Sequence, residues 1–203
     1  MSHVISSLAE LATLYGEVNA NSLRKETAHL TPEYRRWMEA SPLCAVATSG
    51  PGGLDCSPRG DPNGFVRVMD ARTVAFADRR GNNRLDTLKN LVVDPRIALL
   101  FFVPGVNETL RINGHATLTR DPALAQSFAM DGKLPACVVV VVIEAVYFQC
   151  ARALIRSHLW DASRHVDRKI LPTAGEMSRS ADATFDAETY DAALPARQAG
   201  SLY

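Results

Sequence analysis

Thr109-Leu110-Arg111-Ile112-Asn113-Gly114-His115-Ala116-Thr117-Leu118-Thr119 is the stretch that decides the fold class. Leu110, Ile112, Gly114, Ala116 and Leu118 fall on one face, and Thr109, Arg111, Asn113, His115 and Thr117 on the other. A two-residue period of this kind is a strand with one buried face. Downstream, the valines Val138 to Val142 and then Ile143 predict a second strand that runs on to about Cys150, because β-branched side chains suit a pleated, packed surface. Upstream, Ile97 to Val103 is an apolar run bounded by Pro95 and Pro104-Gly105. Leu43 to Thr48 precedes the turn signal Ser49-Gly50-Pro51-Gly52-Gly53, with a further strand from Leu54 to Ser57. Pro58 to Gly64 reads as a loop, and Phe65 to Met69 with Thr73 to Ala77 as a hairpin around Asp70-Ala71-Arg72. Six or seven strands joined mostly by short turns argue for an antiparallel arrangement, mainly β with some α, closed or partly closed into a small barrel with peripheral helices.

Helices flank and interrupt this β region. Ser7-Leu8-Ala9-Glu10 has capping-box form, and Gly16 is the expected stop. Thr31 followed by Pro32 is an N-cap with proline at the first helical position, and Ser41-Pro42 ends that helix. Asn83 to Val92 carries Leu85, Leu88, Leu91 and Val92 on one stripe, with Asn82 or Asn83 as cap. Asp121-Pro122 opens a short helix through about Phe128. Beyond Pro172 the chain turns polar and Ala-rich, either an arm that packs on a partner or a mobile tail. The expected division is 1–40 as a helical extension packed on the barrel, 41–171 as the barrel, and 172–203 as the arm.

Composition bounds the function. The 203 residues carry 22 basic and 22 acidic side chains, so a general electrostatic grip on nucleic acid or an anionic membrane is not expected. Cys44, Cys56, Cys137 and Cys150 include no C-x-x-C pair, and the five histidines form no ligand motif, which argues against a metal site or a disulfide framework. No signal-type leader and no apolar run of about 20 residues is visible, so a cytoplasmic protein is expected. Nucleophile-elbow, P-loop and dinucleotide fingerprints are all missing.

Four clusters could carry chemistry. Asp78-Arg79-Arg80-Gly81-Asn82-Asn83-Arg84-Leu85 joins a strand to a helix, where free N–H groups and three arginines suit a phosphate. The plain alternative is a capped surface helix with solvated arginines, some neutralised by Asp78 and Asp86. Ser57-Pro58-Arg59-Gly60-Asp61 sets a guanidinium at a strand end. Arg111 lies on the polar strand face with Asn113 and His115. Arg152, Arg156, Ser157 and Trp160 follow the last strand, where an indole beside a cation can stack on a planar ligand. Each of these also has a structural reading as an ordinary loop, a solvated sheet face or a core tryptophan.

Ser57 to Asp61, Gly64-Phe65-Val66, Asp78 to Leu88, Pro104 to Gly114 and Cys150 to Trp160 together resemble the FMN-binding split-barrel relatives of pyridoxamine 5′-phosphate oxidase, in particular one bacterial subgroup. The resemblance spans about Leu8 to Leu171. It implies a six-stranded antiparallel split barrel, a homodimer, and FMN in the groove between subunits. Asn82, Asn83 and Arg84 resemble the phosphate-binding turn, with Arg79 or Arg80 assisting. Arg59 and Gly60 resemble the segment beside the flavin, while Arg111, Arg156, Ser157 and Trp160 resemble groups that reach the cofactor across the dimer. Arg59 or Arg156 is expected near the pyrimidine side of the ring. The implied activity is hydride transfer through FMN to or from a small-molecule substrate. The alternatives are a non-catalytic flavin carrier or sensor, or a barrel holding F420 or haem, the last with His115 or His158 as axial ligand. In place of the oxidase's Arg-x-x-Leu-Leu-Lys strand motif stands Ser57-Pro58-Arg59-Gly60-Asp61, and Gly200 to Tyr203 replaces its Arg-Leu-x-Pro segment. These departures separate the chain from the oxidase itself.

Overall fold

The computed structural model describes residues 3–62 and 64–203; Met1, Ser2 and Asn63, the last within the expected Pro58–Gly64 loop, lie outside the described residues. In chain order the elements are α1 (Leu8–Leu14), α2 (Ala20–Arg24), α3 (Pro32–Glu39), β1 (Leu43–Gly50), β2 (Gly53–Gly60), β3 (Arg67–Asp70), β4 (Thr73–Ala77), α4 (Asp86–Val93), β5 (Arg96–Phe102), β6 (Thr109–Thr119), α5 (Pro122–Ser127), β7 (Val138–Gln149), α6 (Arg152–Ser157), α7 (Ala174–Ala181) and α8 (Ala187–Ala199). Two 3₁₀ turns, Ala162–Arg164 and Arg168–Ile170, join α6 to α7.

Among the described residues seven strands form one sheet in the order β2-β1-β5-β6-β7-β4-β3, one strand more than the six implied by the resemblance. Every pairing is antiparallel. Cys44 and Val46 of β1, Leu99 and Phe101 of β5, Ile112 of β6, Val141 of β7 and Phe76 of β4 are all fully or nearly fully buried in one cluster. Side chains from strands this far apart in the sheet order share a core only if the sheet curls around it, which is the barrel solution. Met38 of α3 and Leu91 of α4 belong to the same cluster. The other face of β4 and the start of β7 is covered separately: Ala75, Ala77 and Val138 pack with Phe128, just past α5.

Two local features set the strand registers. Gly50 pairs with Gly53 across a Pro51-Gly52 turn, and Gly53 has φ +109°, a conformation that favours glycine. On β7, Glu144 is an extra residue: Asn113 pairs with Ala145 but Gly114 with Ile143. The bulge moves the inward positions from Val139, Val141 and Ile143 to Val146.

Two sequence expectations are corrected. Pro58 to Gly60 is strand, not loop; β2 is an edge strand, where a proline lacking N–H is tolerated. The helix expected from Asn83 begins at Asp86, because Asn83 (φ 60°) and Leu85 (φ 59°) take left-handed conformations that no α-helix accommodates. Neither Asn82 nor Asn83 caps it; the Asn82 Oδ1 accepts from the Arg84 N–H at 3.1 Å instead. Residues after Pro172, expected as an arm or a mobile tail, form two helices, with a capping box between Thr173 and Glu176 and an N-cap at Asp186. At the other end of the chain α1 buries none of its residues.

Candidate functional site

A cleft of about 1230 Å³ opens between the end of β2, the 78–88 segment, residues 133–137 and the Leu202-Tyr203 segment. The curled sheet brings together groups that are far apart in sequence. Arg59, Gly60, Arg79, Arg80, Asn82, Asn83 and Arg84 all line this one cleft. Arg111, Arg156, Ser157 and Trp160 do not.

The hydrogen bonds separate fixed cations from available ones. Arg59 reaches from β2 to α4: its Nη2 donates to the Thr87 Oγ1 at 3.0 Å and its Nη1 to the Pro58 carbonyl at 2.9 Å. The Thr87 hydroxyl passes the bond on to Asp55 Oδ2 at 2.5 Å, and Ser57 donates to the other Asp55 oxygen at 2.8 Å. Asn90, one turn further along α4, donates to Thr48 and to the Gly53 carbonyl, so this helix is pinned to the β1–β2 hairpin through buried polar groups. Arg79 is committed: its Nε donates to Asp61 at 2.6 Å and its Nη1 to the Phe128 carbonyl at 2.8 Å, with only 19% of its side chain exposed. Arg84 pairs with Asp86 at 2.9 Å but stays 74% exposed, so solvent screens that pair and a phosphate could replace it. Arg80 has no ion pair or hydrogen bond among the described residues.

The cleft also holds two groups whose protonation is biased by burial. Burial raises the Asp78 carboxyl above the ordinary carboxylate range, and Arg59 partly offsets this. Burial raises the Cys137 thiol, and the Asp78 charge adds to it. Cys44, fully buried on the inner face of β1, is pushed up to about 12 by desolvation and is a core residue.

The remaining sequence candidates lie elsewhere on the chain. Arg111 donates to the Tyr147 hydroxyl at 3.2 Å, and with the Gln149 amide oriented to satisfy its partners, Arg111 also donates to that oxygen through Nε and Nη2 at 2.8 Å each. Trp160 Nε1 donates to the Val106 carbonyl at 2.8 Å, and Ser157 Oγ to the Leu154 carbonyl at 3.1 Å. Trp160 and His158 line a separate, smaller hollow with Asn107 and Asp161. His115 faces Glu144 at 3.0 Å on the outside of the sheet. Neither histidine lines the large cleft. No cluster that could hold a metal ion occurs among the described residues.

Sequence reasoning missed Asp55, Thr87, Lys133, Cys137 and Tyr203 as lining residues. Thr87 was within reach, because it lies one residue past the helix start in the arginine-rich segment. Lys133 and Tyr203 carry no sequence signal and are found only by tertiary placement.

A family model described as pyridoxamine 5′-phosphate oxidase matches residues 30–150, more than half of the chain. Among proteins of curated function, none matches the sequence. Solved structures similar to this chain include HupZ from Group A Streptococcus, 19% identical, covering 58% of this chain and 91% of its own with a TM-score of 0.46. A protein related to general stress protein 26, of the pyridoxinephosphate oxidase family, from Clostridium acetobutylicum is 15% identical, with coverages of 58% and 85% and a TM-score of 0.44. An FAD binding protein from Mycobacterium smegmatis is 15% identical, with coverages of 61% and 97% and a TM-score of 0.43. The matched span runs from the approach to α3 to the end of β7 and so takes in the entire sheet: this chain belongs to the pyridoxamine 5′-phosphate oxidase family.

Proposed function

We propose that the chain is an FMN-binding flavoprotein, active as a homodimer, that catalyses hydride transfer to or from a small molecule. The observation that carries this reading is the single cleft that gathers Arg59, Arg80, Arg84 and the Asn82-Asn83 turn. Its volume, about 1230 Å³, exceeds what one planar cofactor needs, leaving room for a substrate beside it. Arg80, which has no partner among the described residues, and the exposed Arg84 would bind the phosphate; guanidinium forks suit its oxygens. Arg59, held rigid by Thr87 and Pro58, would place a fixed positive charge at the ring's edge, where it favours the reduced, negatively charged form. A bound flavin supplies the hydride chemistry, and the protein supplies binding, orientation and charge.

The homodimer accounts for the second group of candidates. Arg111, Arg156, Ser157 and Trp160 lie off the cleft within one chain, and a second copy could bring them to it. The outward positions Ala98, Leu100 and Phe102 of β5 remain partly exposed, an apolar surface suited to such a contact. In this reading residues 41–171 are the cofactor-binding barrel, 1–40 an extension and 172–203 an arm. Four free cysteines fit a cytoplasmic setting; no helix among the described residues is long and apolar enough to cross a membrane.

The test is a visible absorption spectrum of the purified protein, chromatography of the released chromophore, and the solution mass. A flavin spectrum, released FMN and twice the chain mass are expected. A colourless protein that takes up no added FMN overturns the reading. Arg84→Ala should weaken FMN binding by about tenfold, as loss of a charged hydrogen bond does, while Arg72→Ala, outside the cleft, leaves it unchanged. Equal affinities would remove Arg84 from the phosphate site.

A further inference from the structure

Leu202 and Tyr203 line the cleft although they come from the far end of the chain, beyond α8. Three side chains from three different segments converge on Tyr203. Lys133 Nζ donates to its main-chain oxygen at 2.8 Å. The Arg79 guanidinium stands 5.5 Å from its ring centroid, a cation–π arrangement. Asp61 faces its hydroxyl and, after burial, helps keep the phenol in its neutral form. Arg79 and Asp61 are themselves joined and largely buried, so ring and hydroxyl rest on a rigid base. The connection to α8 is short and tied: the Gly200 N–H donates to the Ala196 carbonyl, and the Ser201 hydroxyl to the Arg197 carbonyl.

We propose that Tyr203 is a latch residue that closes one side of the cleft over its ligand, seated on Asp61, Arg79 and Lys133. The cleft still measures about 1230 Å³ with Tyr203 in place, more than the roughly 300–1000 Å³ of most small-molecule sites, so the ring is a wall and not a plug. A wall held by one exposed lysine, one cation–π contact and the Asp61 carboxylate at its hydroxyl opens at modest cost, whereas the largely buried Asp61–Arg79 pair beneath it does not. The latch therefore sets how fast a ligand leaves more than whether it fits. It also gives Arg79 a supporting role in place of phosphate binding.

Two rates test this: dissociation of FMN, followed by recovery of flavin fluorescence, and alkylation of Cys137 by iodoacetamide, located by peptide mass. Cys137 lines the same cleft, so its alkylation reports access without any flavin present. Tyr203→Ala should raise both rates by about fivefold or more. Lys133→Ala, which leaves the ring in place, should raise both by less. Unchanged alkylation in both variants overturns the latch, as does unchanged FMN dissociation in a protein that binds FMN. Slower dissociation from Tyr203→Ala would also overturn it, by showing that the ring competes with the ligand. The flavin arm rests on the proposed function; if the wild-type chain takes up no flavin, that reading fails and the alkylation rates alone decide the latch.

Discussion

Gly114 sits where β6 meets the bulge of β7, and its lack of a side chain is a packing requirement. A Cβ there would lie 2.0 Å from the Val142 carbonyl oxygen and 3.0 Å from the Val142 carbonyl carbon, both backbone atoms that cannot rotate away. Gly114→Ala should therefore destabilise the fold by about 2–3 kcal/mol, read as a lower urea midpoint with an unchanged slope. A loss below about 0.5 kcal/mol would mean the bulge shifts freely. Thr87 is the second single-residue constraint. It is 3% exposed, accepts from Arg59 and donates to Asp55, so one hydroxyl links two strand-borne charges to a helix. Thr87→Val keeps the shape and removes both bonds. The expected cost is about 1–3 kcal/mol, because the Asp55 and Arg59 groups lose a partner in a half-buried place. FMN affinity should fall with it, since Arg59 is no longer held; unchanged stability and affinity would show that the chain of bonds carries nothing.

At the scale of elements, the Thr173–Asp191 contact organises the C-terminal helices. Asp191 accepts from the Thr173 hydroxyl and, at 2.8 Å, from the Gly175 N–H, so a carboxylate on α8 ties the first turn of α7. A Cβ on Gly175 would come within 2.5 Å of the Ala187 carbonyl oxygen, so the two helices already touch backbone to backbone. Asp191→Ala should raise hydrogen exchange across 173–200 while leaving the melting of the barrel unchanged, since the unit buries only Gly175 and Ala187. Loss of barrel stability would show that the arm supports the sheet. The sequence was readable for elements in proportion to how local their causes are. β6 was legible end to end because its alternation is uninterrupted, and α3 because Thr31 and Pro32 mark its start. The start of α4 was not, because Asn83 and Leu85 adopt left-handed conformations through tertiary context, against their own propensity. The helices after Pro172 were hidden by an Ala-rich, polar composition that gives no clear apolar stripe.

For the whole molecule, the site was legible as clusters and not as a place. Arg59, the Asn82-Asn83 turn and Arg84 stand out by local composition, but their convergence depends on a sheet that curls, and Tyr203 joins them from a segment with no pattern of its own. The response to acid is likewise a property of the assembly. Asp70, Asp94, Asp161, Asp182 and Asp186 are each held below the ordinary carboxylate range by hydrogen bonds from groups two or three residues on, Asp94 to about 2 through Arg96. A carboxylate whose folded pKa is depressed contributes stability that is present above its unfolded value and is lost as pH falls through the folded one. Asp78 has the opposite sign: burial raises its pKa, so its ionisation works against the fold as pH rises. With five groups against one, the urea midpoint should fall as pH drops from about 4 toward about 2. The two signs can be separated in single variants. Asp94→Asn should lower the midpoint at neutral pH and make little difference near pH 2, about where Asp94 itself becomes protonated. Asp78→Asn should raise the midpoint at neutral pH, by removing a charge that burial disfavours, and leave it unchanged once acid has protonated the wild-type carboxyl. A lower neutral midpoint for Asp78→Asn would mean that Arg59 outweighs burial, and that Asp78 belongs with the five stabilising carboxylates.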